Sequence, residues 1–290
     1  MLVDSNANAN ANDSQLYVSP GPMTSPNFRV MSQNSGDFDA AISVRRLRPL
    51  MGTFCAIEVT GNVDSLAEVV NGANAVMQRV NDLMHPVNGA DLSRINKLLA
   101  QVIQVDALTW QVLQLAKHIN DYSNGVFDPC LPTHTGCMRD VELLPDNQLI
   151  CHAPVMMDLG GIAKGFAVDC AMNVLIEAGC SSGLVNAGGD IRVFGEMQLM
   201  CINRGDQVLR IELYDQALAV SQFNYADRPK EHQGYYRRNL ALSAIHEHVA
   251  VVAPSAAVAD ALTKCVMWED AKSAENLCRK FKAKLLFAEG

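Results

Sequence analysis

Residues 156–169 read MMDLGGIAKGFAVD, an apolar run that ends in an acid and is followed by two glycines and an apolar helical pattern. The run over 155–159 predicts a strand, the glycines allow a tight turn, and a helix is predicted over 162–178. The first turn of such a helix carries unpaired backbone N–H groups and the positive end of the helix dipole. Lys164 adds a cation at the same place. We therefore predict a site for pyrophosphate or another anion at this helix start.

The same turn has a plainer interpretation, because Gly-Gly before a helix is common where a strand and a helix pack closely. The stretch lacks the G-x-G-x-x-G fingerprint of dinucleotide-binding folds and the G-x-x-x-x-G-K-[ST] pattern of P-loops. Asp158 is placed either to contact a bound ligand or to orient Lys164. The residues alone leave the packing turn and the anion site as open alternatives.

A second glycine-rich turn follows at residues 184–192, which read LVNAGGDIR. Apolar runs flank the two glycines, so the backbone there can approach a ligand closely. An ordinary hairpin turn is the alternative, since it would place the same glycines between two strands.

Apolar periodicity and turn residues place the remaining elements. Helices are predicted over 64–84, 107–122, 255–268 and 272–281, and strands over 54–60, 183–186, 191–194, 200–202, 208–213, 217–220, 249–252 and 283–288. Strands and helices in this irregular order favour an α+β (mixed α/β) class. Residues 1–41 are rich in Asn, Ser and Pro, which predicts a disordered N-terminal tail before a folded domain over 42–290.

Composition narrows the possible partners and the compartment. The formal net charge is −8 and the sequence has no Lys/Arg-rich stripe, so no nucleic-acid partner is expected. The nine cysteines lack CxxC spacing and mostly occur in apolar runs, a pattern typical of buried free thiols in a reducing compartment. The sequence shows no secretory signal and no apolar run of ~18 residues. We therefore expect a cytoplasmic protein without a membrane span.

Taken together, DLGGIAKGFAVD and the later LVNAGGDIRVFG resemble the central signature of the FAD:protein FMN transferase (ApbE-like) family. Further stretches match in the expected order, at 51–53 (MGT), 91–96 (DLSRIN), 123–129 (SNGVFDP), 251–255 (VVAPS) and 259–262 (ADAL). This order, over residues 46–268, is more specific than any single stretch.

The resemblance implies an ApbE-like fold, with mixed sheets flanked by helices and FAD in a cleft between them. It also implies a magnesium-dependent enzyme that cleaves FAD and attaches FMN through a phosphoester to a Ser or Thr of an acceptor flavoprotein. Carried over by position, the FAD contacts would be Met51, Val126, Phe127, Asp128, Asp158 and Lys164. The metal ligands carried over by position would be the Gly161 carbonyl and the Asp260 carboxylate, and the Thr263 hydroxyl, one residue before the family's Thr position, is the candidate third ligand. All three are oxygen donors of the kind that Mg²⁺ prefers.

The late-strand region departs from the family pattern. Relatives carry a Ser/Thr-Ser-Gly stretch and then a His-x-x-Asp-Pro motif, and residues 219–254 contain neither. Ser221 is the candidate remnant of the first. His246 and His248 lie near the expected place of the second and are the candidate general bases for the acceptor hydroxyl. Ordinary surface histidines are the alternative.

The metal helix also departs, because Lys264 occupies the position where relatives carry a Thr ligand and Thr263 comes one residue earlier. Asp260 and Lys264 are i,i+4 neighbours and are expected to pair. An ammonium there would repel Mg²⁺ and take its place. The alternative is a slight rotation of the helix that makes Thr263 a ligand and turns Lys264 to solvent.

These observations leave three functions open. The leading hypothesis is an active FAD:protein FMN transferase, favoured by the intact glycine-rich signatures. A catalytically weakened flavin-binding or partner-binding protein that kept the fold is favoured by the lost His motif and by Lys264. Hydrolysis of FAD to FMN and AMP is the third, since it needs no acceptor protein.

Overall fold

The computed structural model describes residues 42–62, 64–204, 207–222 and 245–289. These residues contain the helices α1 (Leu66–Met84), α2 (Ala90–Ile95), α3 (Ala107–Tyr122), α4 (Ala163–Glu177), α5 (Ala256–Val266) and α6 (Ala271–Lys280). They also contain the strands β1 (Ile42–Leu50), β2 (Thr53–Gly61), β3 (Val102–Gln104), β4 (Val141–Leu144), β5 (Gln148–Cys151), β6 (Ser182–Ala187), β7 (Asp190–Phe194), β8 (Gln198–Arg204), β9 (Gln207–Leu213), β10 (Ala217–Gln222), β11 (His248–Ala253) and β12 (Lys284–Glu289). The predicted tail, 1–41, lies outside the described residues.

A seven-stranded sheet organises the described part of the chain, in the order β1-β2-β6-β7-β10-β11-β12, and each neighbouring pair is antiparallel. On one face α4 packs against α1 and α5, and the three helices cover the main core. On the other face a smaller core lies under the β8–β9 hairpin. Successive residues alternate between the two, so Val251 belongs to the main core and Val252 to the smaller one. Helices gathered on one face of an antiparallel sheet confirm the predicted α+β class.

The prediction of a strand over 155–159 is wrong. This segment forms only an isolated bridge, between Met157 and Cys130. The amide of Asp158 donates to the carbonyl of Pro129, at 2.8 Å, and Met157 exchanges two hydrogen bonds with the side chain of Asn96. Val155, Met157 and Leu159 of this apolar run are buried, but a side-chain amide satisfies part of its backbone where a neighbouring strand would otherwise do so.

A second sheet, in the order β3-β5-β4, was absent from the sequence prediction. Its strands have only three or four residues, and β4 and β5 are joined by a turn in which Asp146 and Asn147 both have positive φ. Runs this short give little periodicity to detect.

In the described residues, the helices are too short or too polar to cross a bilayer. All nine cysteines are free, and six of them are buried, which confirms the prediction of buried thiols.

Candidate functional site

The turn before α4 is held by side chains on both sides. The carboxylate of Asp158 accepts a hydrogen bond from the amide of Gly160, at 2.8 Å, and is only 7% exposed. Asn96, from the DLSRIN stretch, grips the backbone of Met157 immediately before it, with its Oδ1 at 2.7 Å from the Met157 amide nitrogen. The first signature therefore begins from a fixed position, and α4 starts directly after Ile162.

Lys164, in the first turn of α4, forms an ion pair with Asp190 at the start of β7, with 2.7 Å between Nζ and Oδ2. The Asp190 side chain is 1% exposed and that of Lys164 is 30% exposed. Burial, together with the nearby Asp260 carboxylate, raises the pKa of Asp190 to about 6 against the opposing effect of the lysines. The pair joins the two glycine-rich signatures into one site with Lys164 at its open side.

The second glycine-rich turn lies against the hairpin between β1 and β2. Gly188 and Gly189 have φ of +60° and +99°, and a Cβ on Gly188 would come within 2.6 Å of the Thr53 hydroxyl. Met51, with φ of +56°, lies in the same hairpin turn and is partly buried against the core. The MGT and NAGGD stretches are therefore packed together, which leaves room only for glycine at position 188.

Helices α4 and α5 touch at their backbones. A Cβ added to Gly165 would lie 2.3 Å from the carbonyl oxygen of Ala256. The carboxylate of Asp169, one turn further along α4, accepts hydrogen bonds from the amides of Ala256 and Ala257, each at 2.9 Å, and from Arg192 at 2.9 Å. Asp169 therefore caps the start of α5 and fixes it beside α4 and β7.

The inner side of α5 carries a cluster of polar groups. The ammonium of Lys264 donates to the carboxylate of Asp260, to the hydroxyl of Ser221 on β10 at 2.8 Å and to the hydroxyl of Thr263 at 3.2 Å. The two hydroxyls are 2.7 Å apart. The side chain of Lys264 is 14% exposed and that of Asp260 is fully buried. The pairing expected from their spacing is present, and Lys264 points inward, so the alternative in which it turns to solvent is wrong.

These contacts do not fit a divalent ion at Asp260. One carboxylate oxygen accepts from Lys264, and the other accepts from the amide of Gly165 at 3.3 Å. Burial raises the pKa of Asp260, but the ammonium groups of Lys264 and Lys164 outweigh it and hold the pKa below its ordinary value. The Thr263 hydroxyl donates to the Asp260 carbonyl at 2.7 Å. The described residues also contain no group of three His, Cys, Asp or Glu side chains that could hold a metal.

The predicted FAD segment 126–128 has a packing role in this structure. The side chains of Val126 and Phe127 are 1% and 0% exposed, so both pack in the core. The carboxylate of Asp128 accepts hydrogen bonds from the amides of Cys130, at 2.9 Å, and Met138, at 3.2 Å. Asn120 holds the segment from α3 through the carbonyl of Phe127. A direct contact between these residues and FAD stays a prediction.

The two candidate histidines lie at different places. His248 pairs with Gln222 in the sheet and its ring packs on Phe287 at 4.9 Å, which belongs to the smaller core. Ser221 and the Asp260 cluster lie on the opposite face of that sheet. His246 lies beside the end of α5, where its amide donates to the carbonyl of Met267 at 3.2 Å. Within the described residues its buried Nε2 has no hydrogen-bond partner.

A profile of the ApbE family matches residues 51–287. The chain belongs to the ApbE family. No curated protein sequence matches it. Among solved structures, it is similar to the apo flavinyl transferase ApbE of Pseudomonas stutzeri (18% identity, 86% of this chain and 92% of the other, TM-score 0.73). It is also similar to the flavin transferase ApbE of Vibrio cholerae (20%, 86% and 98%, 0.71) and to the ApbE protein of Thermotoga maritima (22%, 84% and 93%, 0.71).

Several residues of this ApbE-family site were not singled out from the sequence. Asp190, Arg192 and Gly165 lie inside the quoted signatures, but their roles depend on partners from distant parts of the chain. For Asp190, the signal available in the sequence was an acid directly after a pair of glycines. For Asp169, the signal was an acid on the apolar side of a helix, where a charge needs a partner.

Proposed function

We propose that this chain binds FAD and transfers its FMN half to a Ser or Thr hydroxyl of an acceptor flavoprotein. The observation that carries the proposal is the joining of both family signatures by the Lys164–Asp190 pair at the start of α4. The dipole of the helix start, together with the ammonium of Lys164, suits the negative charge of a diphosphate. Family membership supports flavin transfer as the reaction class.

In the proposed reaction, the acceptor hydroxyl oxygen attacks the phosphorus on the FMN side of FAD. The bond between that phosphorus and the bridging oxygen breaks, AMP leaves with the electron pair, and the hydroxyl proton passes to a base. Lys164 holds and orients the diphosphate. Of the two histidines, His248 lies on the other face of the sheet, so His246 is the candidate for this base. Phosphoryl transfer depends mainly on such positioning and charge stabilisation.

A flavin-binding protein that transfers slowly or not at all is the second candidate. It is favoured by the engagement of the Asp260 carboxylate with Lys264 and the Gly165 amide, which leaves the expected metal position filled. Hydrolysis would use water in place of the acceptor hydroxyl.

One incubation separates these functions. The purified chain is mixed with FAD and candidate acceptor flavoproteins, with Mg²⁺ or with chelator, and flavin fluorescence is read on a denaturing gel while AMP is measured by chromatography. A fluorescent acceptor band with equal AMP supports transfer. FMN and AMP without a band indicate hydrolysis, and bound FAD that stays intact indicates flavin binding alone. FMN in place of FAD is the control, because it has no diphosphate bond to break.

A further inference from the structure

We propose that the ammonium of Lys264 is the resident cation of the Asp260 pocket, so that this chain handles the diphosphate of FAD without a divalent ion there. The pocket is defined by Asp260, Thr263 and Lys264 on α5 and Ser221 on β10. The part that concerns FAD rests on the proposed function, and the part that concerns the cation does not.

The contacts of Lys264 are those of a bound cation. Its ammonium has three donors, and three oxygen groups surround it: the Asp260 carboxylate, the Ser221 hydroxyl and the Thr263 hydroxyl. Asp260 precedes Lys264 by one turn of the same helix, the order in which an acid and a base pair best. The Asp260 carboxylate and the Thr263 hydroxyl, two of the three predicted metal ligands, therefore already bind the lysine.

Because the charged groups are buried, a divalent ion cannot easily replace the Lys264 ammonium. The Asp260 side chain is fully buried and Lys264 is 14% exposed, so both charges would lack compensation if they separated. A divalent ion at Asp260 would also meet an ammonium at close range, and like charges repel strongly where solvent is scarce. An incoming ion would have to displace Lys264 before it reached the carboxylate oxygen of Asp260 or the two hydroxyls.

The charge balance of the wider site points the same way. Asp190 pairs with Lys164 and Asp260 pairs with Lys264, so two buried carboxylates are matched by two ammoniums without a metal ion. Lys164, at 30% exposed, is the more open of the lysines and is the one that meets a diphosphate. Lys264 then supplies a fixed positive charge at Asp260, which offsets the carboxylate charge that would otherwise repel the diphosphate.

The direct test titrates the protein, without flavin, with Mn²⁺ as the probe. Electron paramagnetic resonance measures the concentration of free Mn²⁺ at each step. We expect the unchanged chain to bind no stoichiometric Mn²⁺ up to about 1 mM, which corresponds to about −4 kcal/mol of binding. Lys264→Thr removes the ammonium and adds an oxygen, and we expect it to create one site per chain. Lys264→Met removes the charge alone and should bind more weakly than Lys264→Thr. Lys272→Thr, at an exposed position of α6, is the matched control and should create no site.

The second arm measures FAD affinity by flavin fluorescence in Mg²⁺ and in chelator. We expect the dissociation constant of the unchanged chain to differ by less than about twofold between the two, whereas Mg²⁺ should tighten Lys264→Thr by about tenfold or more. One tight Mn²⁺ per unchanged chain would overturn the proposal, even if no variant folded. If FAD fails to bind in either condition while the Mn²⁺ results hold, the proposed function is lost and the resident cation stands.

Discussion

Lys164 and Asp190 are 26 residues apart in sequence, and their side chains meet at 2.7 Å across the gap between α4 and the sheet. Together with the ion pair between Asp169 and Arg192, at 2.9 Å, this contact joins the two glycine-rich signatures. It places one partly exposed ammonium beside a helix start. An anion bound there is stabilised both by the ammonium and by the helix dipole.

If Lys164 holds the diphosphate, FAD should bind more tightly than riboflavin, which has no phosphate. Lys164→Ala should narrow that difference by roughly 1–3 kcal/mol, the range for a hydrogen bond to a charged group, while riboflavin affinity stays nearly constant. Titrations of both flavins by fluorescence provide the measurement. Lys164→Ala also leaves the buried Asp190 carboxylate without its partner. The double variant Lys164→Ala/Asp190→Asn is therefore the matched control, because it removes both charges of the pair. Equal affinity of the unchanged chain for FAD and riboflavin would contradict the anion site.

Gly165 should tolerate no side chain. A Cβ there would meet the Ala256 carbonyl oxygen at 2.3 Å, so Gly165→Ala should force α4 and α5 apart and lower the free energy of unfolding by about 1–3 kcal/mol. Gly72→Ala in α1 is the matched control, because its Cβ would be 3.6 Å from Val174, an ordinary contact. That change should raise stability by up to about 1 kcal/mol through helix propensity. Urea unfolding measures both, and equal effects would show that the helices adapt.

The raised pKa of Asp190 predicts a pH dependence of stability. A carboxyl whose pKa is about 6 in the folded state and near its ordinary value when unfolded binds its proton more tightly in the folded state. Its contribution is therefore fully present below pH ~4 and is lost as the pH rises through ~6. The stability of the unchanged chain relative to Asp190→Asn should fall by about 1–3 kcal/mol between pH 4 and 7. A relative stability that rises over this range would mean that the pairing with Lys164 dominates over burial.

The two histidines should respond differently to the same substitution. His246→Gln should slow FMN transfer by about a hundredfold if the imidazole takes the acceptor proton, with a change in the pH profile of the rate. His248→Gln, on the opposite face of the sheet, should leave the rate within about twofold. Gel fluorescence over time gives both rates. A large loss for His248→Gln with none for His246→Gln would reverse the assignment.

Thiol reactivity should follow burial. Burial raises the pKa of Cys55 and of Cys151 to about 11, and it also raises the pKa of Cys265. Iodoacetamide at pH 8 should therefore leave these thiols unlabelled in the folded protein, because the thiolate is the reacting form. All nine should react after denaturation, as counted by mass spectrometry. Rapid labelling of Cys265 in the native protein would show that α5 opens locally.

The sequence predicted what depends on neighbours along the chain. The long helices, the start of α4 and the pairing of Asp260 with Lys264 all follow from spacing within a few residues. Contacts between distant segments could not be predicted this way. The spacing of Lys164 says nothing of Asp190, and the apolar run before Asp158 resembled a strand until Asn96 was seen to bind its backbone. The burial of Val126 and Phe127 could not be predicted either, because matching a residue to a position of the family pattern does not reveal whether its side chain is buried.

The cap on α5 has a consequence for how that helix exchanges its amide protons. Helix ends generally fray, because water replaces the missing partners of their amides. In α5 the first-turn amides of Ala256 and Ala257 instead donate to the carboxylate of Asp169, which lies 87 and 88 positions away in the sequence. These two amides can open only when α4 separates from α5. Their hydrogen exchange should therefore be as slow as that of the central sheet, and Asp169→Asn should speed it selectively at this end of the helix.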